Sequence, residues 1–267
     1  ERNPSTRVSG FLNKATDLGP ISASSGVMNT LHSLTVGEDF TDLFFTTGVQ
    51  ASHTFSRDGT RSVTFTGRWE EHRSARDVVS SDPENTEFRP VLPLDDGRWS
   101  SLTVTGSMGT PWPGLAIEGA LLAGRFEGET FGAVSASLTY ARHWLAGGTD
   151  LSVDLRGGGL LGDPPLQAHY RLGGRQTVPG YGFREQMGDR YWLLRTEASF
   201  DLFPPYIRVR GFGSAGDTRS LPSPETTLLP LREEADFLLS AGAGLGLGWD
   251  ILRLDLARGL REGGSGN

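Results

Sequence analysis

An acid, a base, a nucleophile or a metal ligand does chemistry only when held in a fixed relation to a partner, and this 267-residue chain offers few such arrangements. Its five histidines are His32, His53, His72, His143 and His169. None reads as half of an i, i+4 or alternating ligand pair, so no metal centre is expected. No Gly-x-Ser-x-Gly elbow occurs and no histidine has an evident orienting partner, so no catalytic residue is assigned and no intrinsic enzyme is expected. The acidic residues Asp82, Glu84, Glu87, Asp95 and Asp96 lack the spacing of a calcium loop and read as a solvated segment. Gly157, Gly158 and Gly159 lie in a strand pattern. There they allow close backbone approach, curvature or room for another segment rather than a phosphate cradle. Cysteine is absent, which excludes disulfides and thiolate ligands. A net charge of −7 with no basic run argues against nucleic acid, and no cofactor is implied. What remains is electrostatic. Lys14 is the only lysine, so the positive charge is almost all arginine, whose planar fork pairs bidentately with carboxylates in a wet lumen.

The elements that would position these charges are strands. No stretch approaches the roughly 18 to 20 apolar residues of a spanning helix, and none shows convincing 3.6-residue periodicity. From residue 42 onward apolar and polar residues alternate. Val63, Phe65, Gly67 and Trp69 oppose Thr64, Thr66, Arg68 and Glu70; Leu115, Ile117 and Leu121 oppose Glu118; Leu151, Val153 and Leu155 oppose Ser152, Asp154 and Arg156. Beyond residue 190, Trp192, Leu194, Ala198 and Phe200 oppose Leu193, Arg195, Glu197 and Ser199, while Arg208 and Arg210 alternate with Ile207 and Val209. Alternation alone fits a soluble sandwich as well as a membrane barrel. Runs of about ten or more residues favour the barrel, because a tilted strand of that length crosses a bilayer. So do Trp69, Trp99, Trp112, Trp144, Trp192 and Trp249, placed near strand ends where interfacial girdles occur. Asp58-Gly59, Glu127-Gly128-Glu129, Gly147-Gly148 and Pro204-Pro205 read as short turns. They alternate with long polar connections at 76–97, 163–189 and 217–235. Ten strands are readable, and residues 7–15 and 27–36 would bring the number to twelve. The expectation is an all-β antiparallel transmembrane barrel of about 10–12 strands, one domain over 1–267, with 162–190 folded into its lumen. The opening Glu1-Arg2-Asn3-Pro4 has no signal-peptide character, so any leader was removed or the chain is part of a longer protein.

The stretch Leu172-Gly-Gly-Arg-Gln-Thr-Val-Pro-Gly-Tyr-Gly-Phe-Arg184 resembles the inward loop of the bacterial surface-antigen barrels, the BamA/TamA-type outer-membrane family. The Ser240-Ala-Gly-Ala-Gly-Leu-Gly strand and Leu252-Arg-Leu-Asp-Leu-Ala-Arg extend the resemblance over about 150–260. It implies a loop motif of Gly173, Gly174, Val178, Pro179, Gly180 and Tyr181, and a loop arginine paired with an acid on the lumen wall. Pro179 occupies that arginine's place, and Ser214 stands where an aspartate is usual, so cation and partner are lost together. The expectation is that Arg184 substitutes and meets Glu197. The alternative leaves Arg184 solvated and pairs Glu197 with Arg195, Arg208 or Arg210. The family's closing strand with its terminal aromatic is not found in this sequence. The resemblance implies an outer-membrane location in a Gram-negative-type bacterium, contact with lipid bilayer and lipopolysaccharide, and a role in outer-membrane protein assembly or translocation. The alternatives are a membrane anchor for a fused or associated periplasmic or surface domain, and a structural or pore subunit of an envelope complex. Other outer-membrane proteins would be partners.

Overall fold

Residues 4–19, 42–57, 60–75, 94–144, 148–219, 237–248 and 251–261 are described by a computed structural model. They form strands β1 (Ser5–Asp17), β2 (Leu43–Arg57), β3 (Arg61–Ser74), β4 (Gly97–Gly109), β5 (Leu115–Phe126), β6 (Glu129–Trp144) and β7 (Thr149–Gly162). The short strands β8 (Tyr170–Leu172) and β9 (Gln186–Gly188) follow, then β10 (Arg190–Phe203), β11 (Ile207–Arg219), β12 (Leu238–Leu247) and β13 (Leu252–Gly259). Eleven of them make one antiparallel sheet in sequence order. β8 and β9 pair apart from it, so that β7 lies against β10. The protein is all-β, with the barrel-type architecture expected. No helix among the described residues is long and apolar enough to cross a membrane, which leaves crossing by strands open.

Register keeps each face of the sheet uniform, because a one-residue slip would exchange the faces. On the outer face Val104 stands opposite Leu121, Leu121 opposite Val134, Leu138 opposite Leu155 and Leu155 opposite Leu194. A second row runs through Phe200, Val209, Leu245 and Leu254. The inner face carries hydroxyls and charges. Thr54 Oγ1 lies 2.9 Å from Thr64 Oγ1, and Ser62 Oγ lies 2.7 Å from Ser107 Oγ. A soluble sandwich would bury the leucine face. Here Leu121 is 62% exposed, and the apolar core lies on the opposite side, between the 163–189 connection and the inner wall. A surface of exposed Leu, Val and Phe backed by a polar interior is the transmembrane-barrel pattern.

Connections sort by end. The segments after β1, β3, β7 and β11 are long and share one end, while those after β2, β4, β6, β10 and β12 are short and share the other. One expectation needs correcting: the Glu127-Gly128 turn after β5 is short but sits at the long-connection end. A second is Trp99, which faces inward. Its ring stacks on His72 at 5.3 Å and meets Phe131 edge-on at 4.7 Å, so it belongs to an inner aromatic cluster and not to a girdle. The large sheet has eleven strands, and residues 7–15 lie in β1. The further strand expected at 27–36, the Asp58-Gly59 turn, Gly147 and Trp249 lie outside the described residues.

Candidate functional site: the lumen loop and the charged inner wall

The 163–189 connection turns back into the sheet's concavity because its backbone and side chains find partners there. One turn of 3-10 helix, Leu166–Ala168, leads into the β8–β9 ladder, where Tyr170 pairs with Gly188 and Leu172 with Gln186. At the tip Gly173 and Gly174 take φ of 115° and 87°, a region open to glycine. Thr177 closes the turn: its hydroxyl accepts from Gly173 N at 2.9 Å and donates to Gly173 O at 3.0 Å. Val178 and Tyr181 are then fully buried, packed with Leu172 against Leu193 of β10 and Leu238 of β12. Burying side chains of this size contributes roughly 1.5–3 kcal/mol each.

The loop touches wall strands from both halves of the sheet. Gln167 Nε2 donates to His72 Nδ1 of β3 at 3.1 Å and to Asp95 O at 3.2 Å. Tyr170 packs on Tyr191 of β10 with ring centroids 4.3 Å apart, and burial pushes its hydroxyl pKa up to about 12. Arg195, also on β10, donates to Gln176 O at 2.9 Å. Gln186 Oε1 accepts from Thr218 N of β11 at 3.3 Å. Contacts to strands this far apart in the sheet require it to curl around the loop. Gly158 of β7 is part of the fit, since a Cβ there would lie 2.8 Å from the Tyr170 hydroxyl. The Gly157–Gly159 run makes room for the loop.

Arg184 is buried and its guanidinium makes three charge-assisted or carbonyl contacts. Nη1 donates to Asp42 Oδ2 at 2.6 Å, and Nη2 donates to Asp17 Oδ2 at 2.8 Å and to Leu18 O at 2.6 Å. The expected pairing with Glu197 is therefore corrected: the substitute cation meets the first hairpin instead. Glu197 forms its ion pair with Arg253 Nη2 at 2.7 Å, an arginine outside the three expected. Arg253 also holds Asp255 at 2.8 Å, and Asp255 lies 3.7 Å from the buried Arg210. Arg208 bridges Asp201 at 2.7 Å and Asp150 at 2.9 Å. Ser214 faces the lumen, buried, opposite Arg195. Pro179 sits half-buried beside Val178 at the tip.

Two histidines have carboxylate partners that sequence reading missed. His72 Nε2 donates to Glu70 at 3.2 Å, and His143 Nδ1 lies 2.6 Å from Asp150. Glu70 and His72 are two apart on one strand, a spacing that was available as a signal. Among the described residues no group of three metal-ligating side chains is assembled. Asp17, Asp42 and Arg253 were also missed. Arg253 was visible as the polar residue of its strand, whereas the two aspartates flank a connection and carry no periodic signal. The arrangement anchors a loop inside a charged, hydroxyl-lined lumen.

This fold and loop define a barrel-type antiparallel sheet carrying a lumen plug. No family model and no curated protein matches the sequence. Among solved structures the chain is similar to CdiB from Acinetobacter baumannii, at 16% identity and a TM-score of 0.53, over 82% of this chain and 40% of that one. It is also similar to CdiB from Escherichia coli, at 17% identity and a TM-score of 0.51, over 82% of this chain and 42% of that one. The chain thus spans about two fifths of the length of these structures, and at such identities the likeness is one of fold.

Proposed function

We propose that this chain is the barrel region of an outer-membrane protein of a Gram-negative-type bacterium, with a role in moving polypeptide through or into that membrane. The observation that carries this reading is the pairing of an exposed apolar outer face with a hydroxyl- and charge-lined interior occupied by one loop. A polar, charge-lined lumen offers a path for polar chain once the loop that fills it moves aside. The likeness of fold to CdiB supports a translocation role. Lipid bilayer and lipopolysaccharide are the surroundings of the outer face in this reading, and no intrinsic catalysis is assigned.

The test is conductance in planar bilayers, comparing the chain with a variant in which residues 174–183 are replaced by a short Gly-Ser link. The native chain should conduct little and the variant should show steady open-channel current. A variant that folds, judged by its heat-modifiable migration, yet carries no current has no lumen path and would sink the proposal. The second reading, an anchor for a fused or associated domain, is favoured by the number of wall strands the loop grips. It predicts a native polypeptide much heavier than this chain and no conductance from the loop-shortened variant.

A further inference from the structure

We infer that residues 180–184 are a clasp that holds the two unpaired edges of the sheet together at the long-connection end. The inference rests on the barrel reading but not on translocation. β1 and β13 are the sheet's edges, and no ladder joins them among the described residues. In the eleven-strand antiparallel meander of the described residues the first and last strands run the same way, so the antiparallel pairing used everywhere else in it does not join β1 to β13 across this seam. Both edges end where the 163–189 connection enters.

The clasp has two jaws. On one side Tyr181 Oη donates to Leu239 O at 3.0 Å and accepts from Leu239 N at 3.2 Å and Arg261 N at 3.1 Å, just past β13. Gly180, at φ 88°, lies so close that a Cβ would stand 2.4 Å from Gly259 N. On the other side Arg184 grips Asp17 and Leu18 at the end of β1 and Asp42 at the start of β2. Arg184 itself takes φ 53°, a conformation non-glycine residues adopt rarely and keep only where contacts hold it. Tyr181 and Arg184 are three residues apart, about 11 Å at full extension. The segment therefore limits how far the edges can separate. A plug with no such role would grip the wall anywhere. This one places Arg184 on β1 and the start of β2, and Tyr181 on Leu239 of β12 and on Arg261 just past β13.

The absence of cysteine allows a direct test. Nitroxide labels at Leu12→Cys on β1 and Leu256→Cys on β13 report the seam width in lipid vesicles by pulsed electron resonance. A pair at Leu121→Cys and Leu155→Cys within the sheet is the control. Arg184→Gln and Tyr181→Phe should each widen and broaden the seam distance by about one strand spacing, roughly 5 Å, and leave the control unchanged. A six-residue Gly-Ser insertion after the exposed Gly182 lengthens the clasp while keeping the Tyr181 and Arg184 side chains, giving up only the Gly182 N–H bond to Glu185. It should widen the seam likewise, and it serves if the point variants do not fold. A seam distance equal to that of the parent chain in the folded insertion variant would overturn the clasp. A widened seam with no conductance from the loop-shortened barrel would instead overturn the lumen path and leave the clasp standing.

Discussion

Arg184 and Arg253 are both arginines on carboxylates, yet burial makes them different objects. The Arg184 side chain is 4% exposed and that of Asp42 2%, whereas Arg253 and Glu197 are 39% and 30% exposed. Removing one member of a buried pair strands the other charge and costs about 3–5 kcal/mol, while a solvated pair is worth about 0–1 kcal/mol. Asp42→Asn should therefore lower the urea midpoint of the folded barrel in vesicles far more than Glu197→Gln. Equal shifts would show that the first-hairpin cluster is as wet as the wall. Sequence reading identified Arg184 as the loop cation but assigned it the wrong acid. Glu197 was the acid left at the family's position, whereas the observed partners Asp42 and Asp17 lie 142 and 167 residues away. Alternation reports which face a strand residue takes. It is silent about acids at strand ends such as Asp17 and Asp42, which is why the wall charges were legible and the clasp was not.

The loop is the element on which the lumen depends, and two variants address how it docks. Gly158→Val would drive a side chain into the Tyr170 hydroxyl, 2.8 Å from the added Cβ, and overpacking of this kind costs about 1–3 kcal/mol. The expected outcome is trypsin cleavage after the buried Arg171 and Arg184 at least tenfold faster than in the parent chain. An unchanged pattern would mean that β7 does not seat the loop. The second variant concerns His169, which burial holds below the ordinary histidine value while its Nδ1 donates to Pro165 O at 3.2 Å. Released from the wall, the imidazole takes a proton near about 6.5; docked, it resists. The undocked state then binds more protons, so docking is strongest above about pH 6.5 and weakens as pH falls between that value and the lowered one. Amide exchange across 166–172 should speed up between pH 7.5 and 5.5 beyond the intrinsic pH trend, and His169→Gln should flatten the difference. The glycine run announced room for the loop in the sequence. The docking partners did not show, because they arise from contacts between segments far apart in the chain.

At the scale of the molecule, the argument turns on which face meets lipid. Strand positions and faces were readable because a period of two survives any curvature of the sheet, and the sandwich alternative stayed open only because period does not reveal which side is inside. The fold resolves this by burying Val178, Tyr181 and Leu193 on the polar side and leaving the leucine rows uncovered. Leu121 of β5 is outward and near mid-strand, while Ser135 of β6 faces inward opposite Ala120. If the leucine rows lie in hydrocarbon, Leu121→Arg at mid-depth should cost about 2–4 kcal/mol in a folding titration into vesicles, and Ser135→Arg, reaching a wet lumen, should cost under about 1 kcal/mol. In a soluble sheet packed on its leucine face, Leu121→Arg would also be costly, so the contrast must be repeated in vesicles with shorter acyl chains. Thinner hydrocarbon brings position 121 nearer an interface, and the penalty should shrink towards about 1 kcal/mol. A penalty that ignores bilayer thickness would place the leucine face against protein instead of lipid.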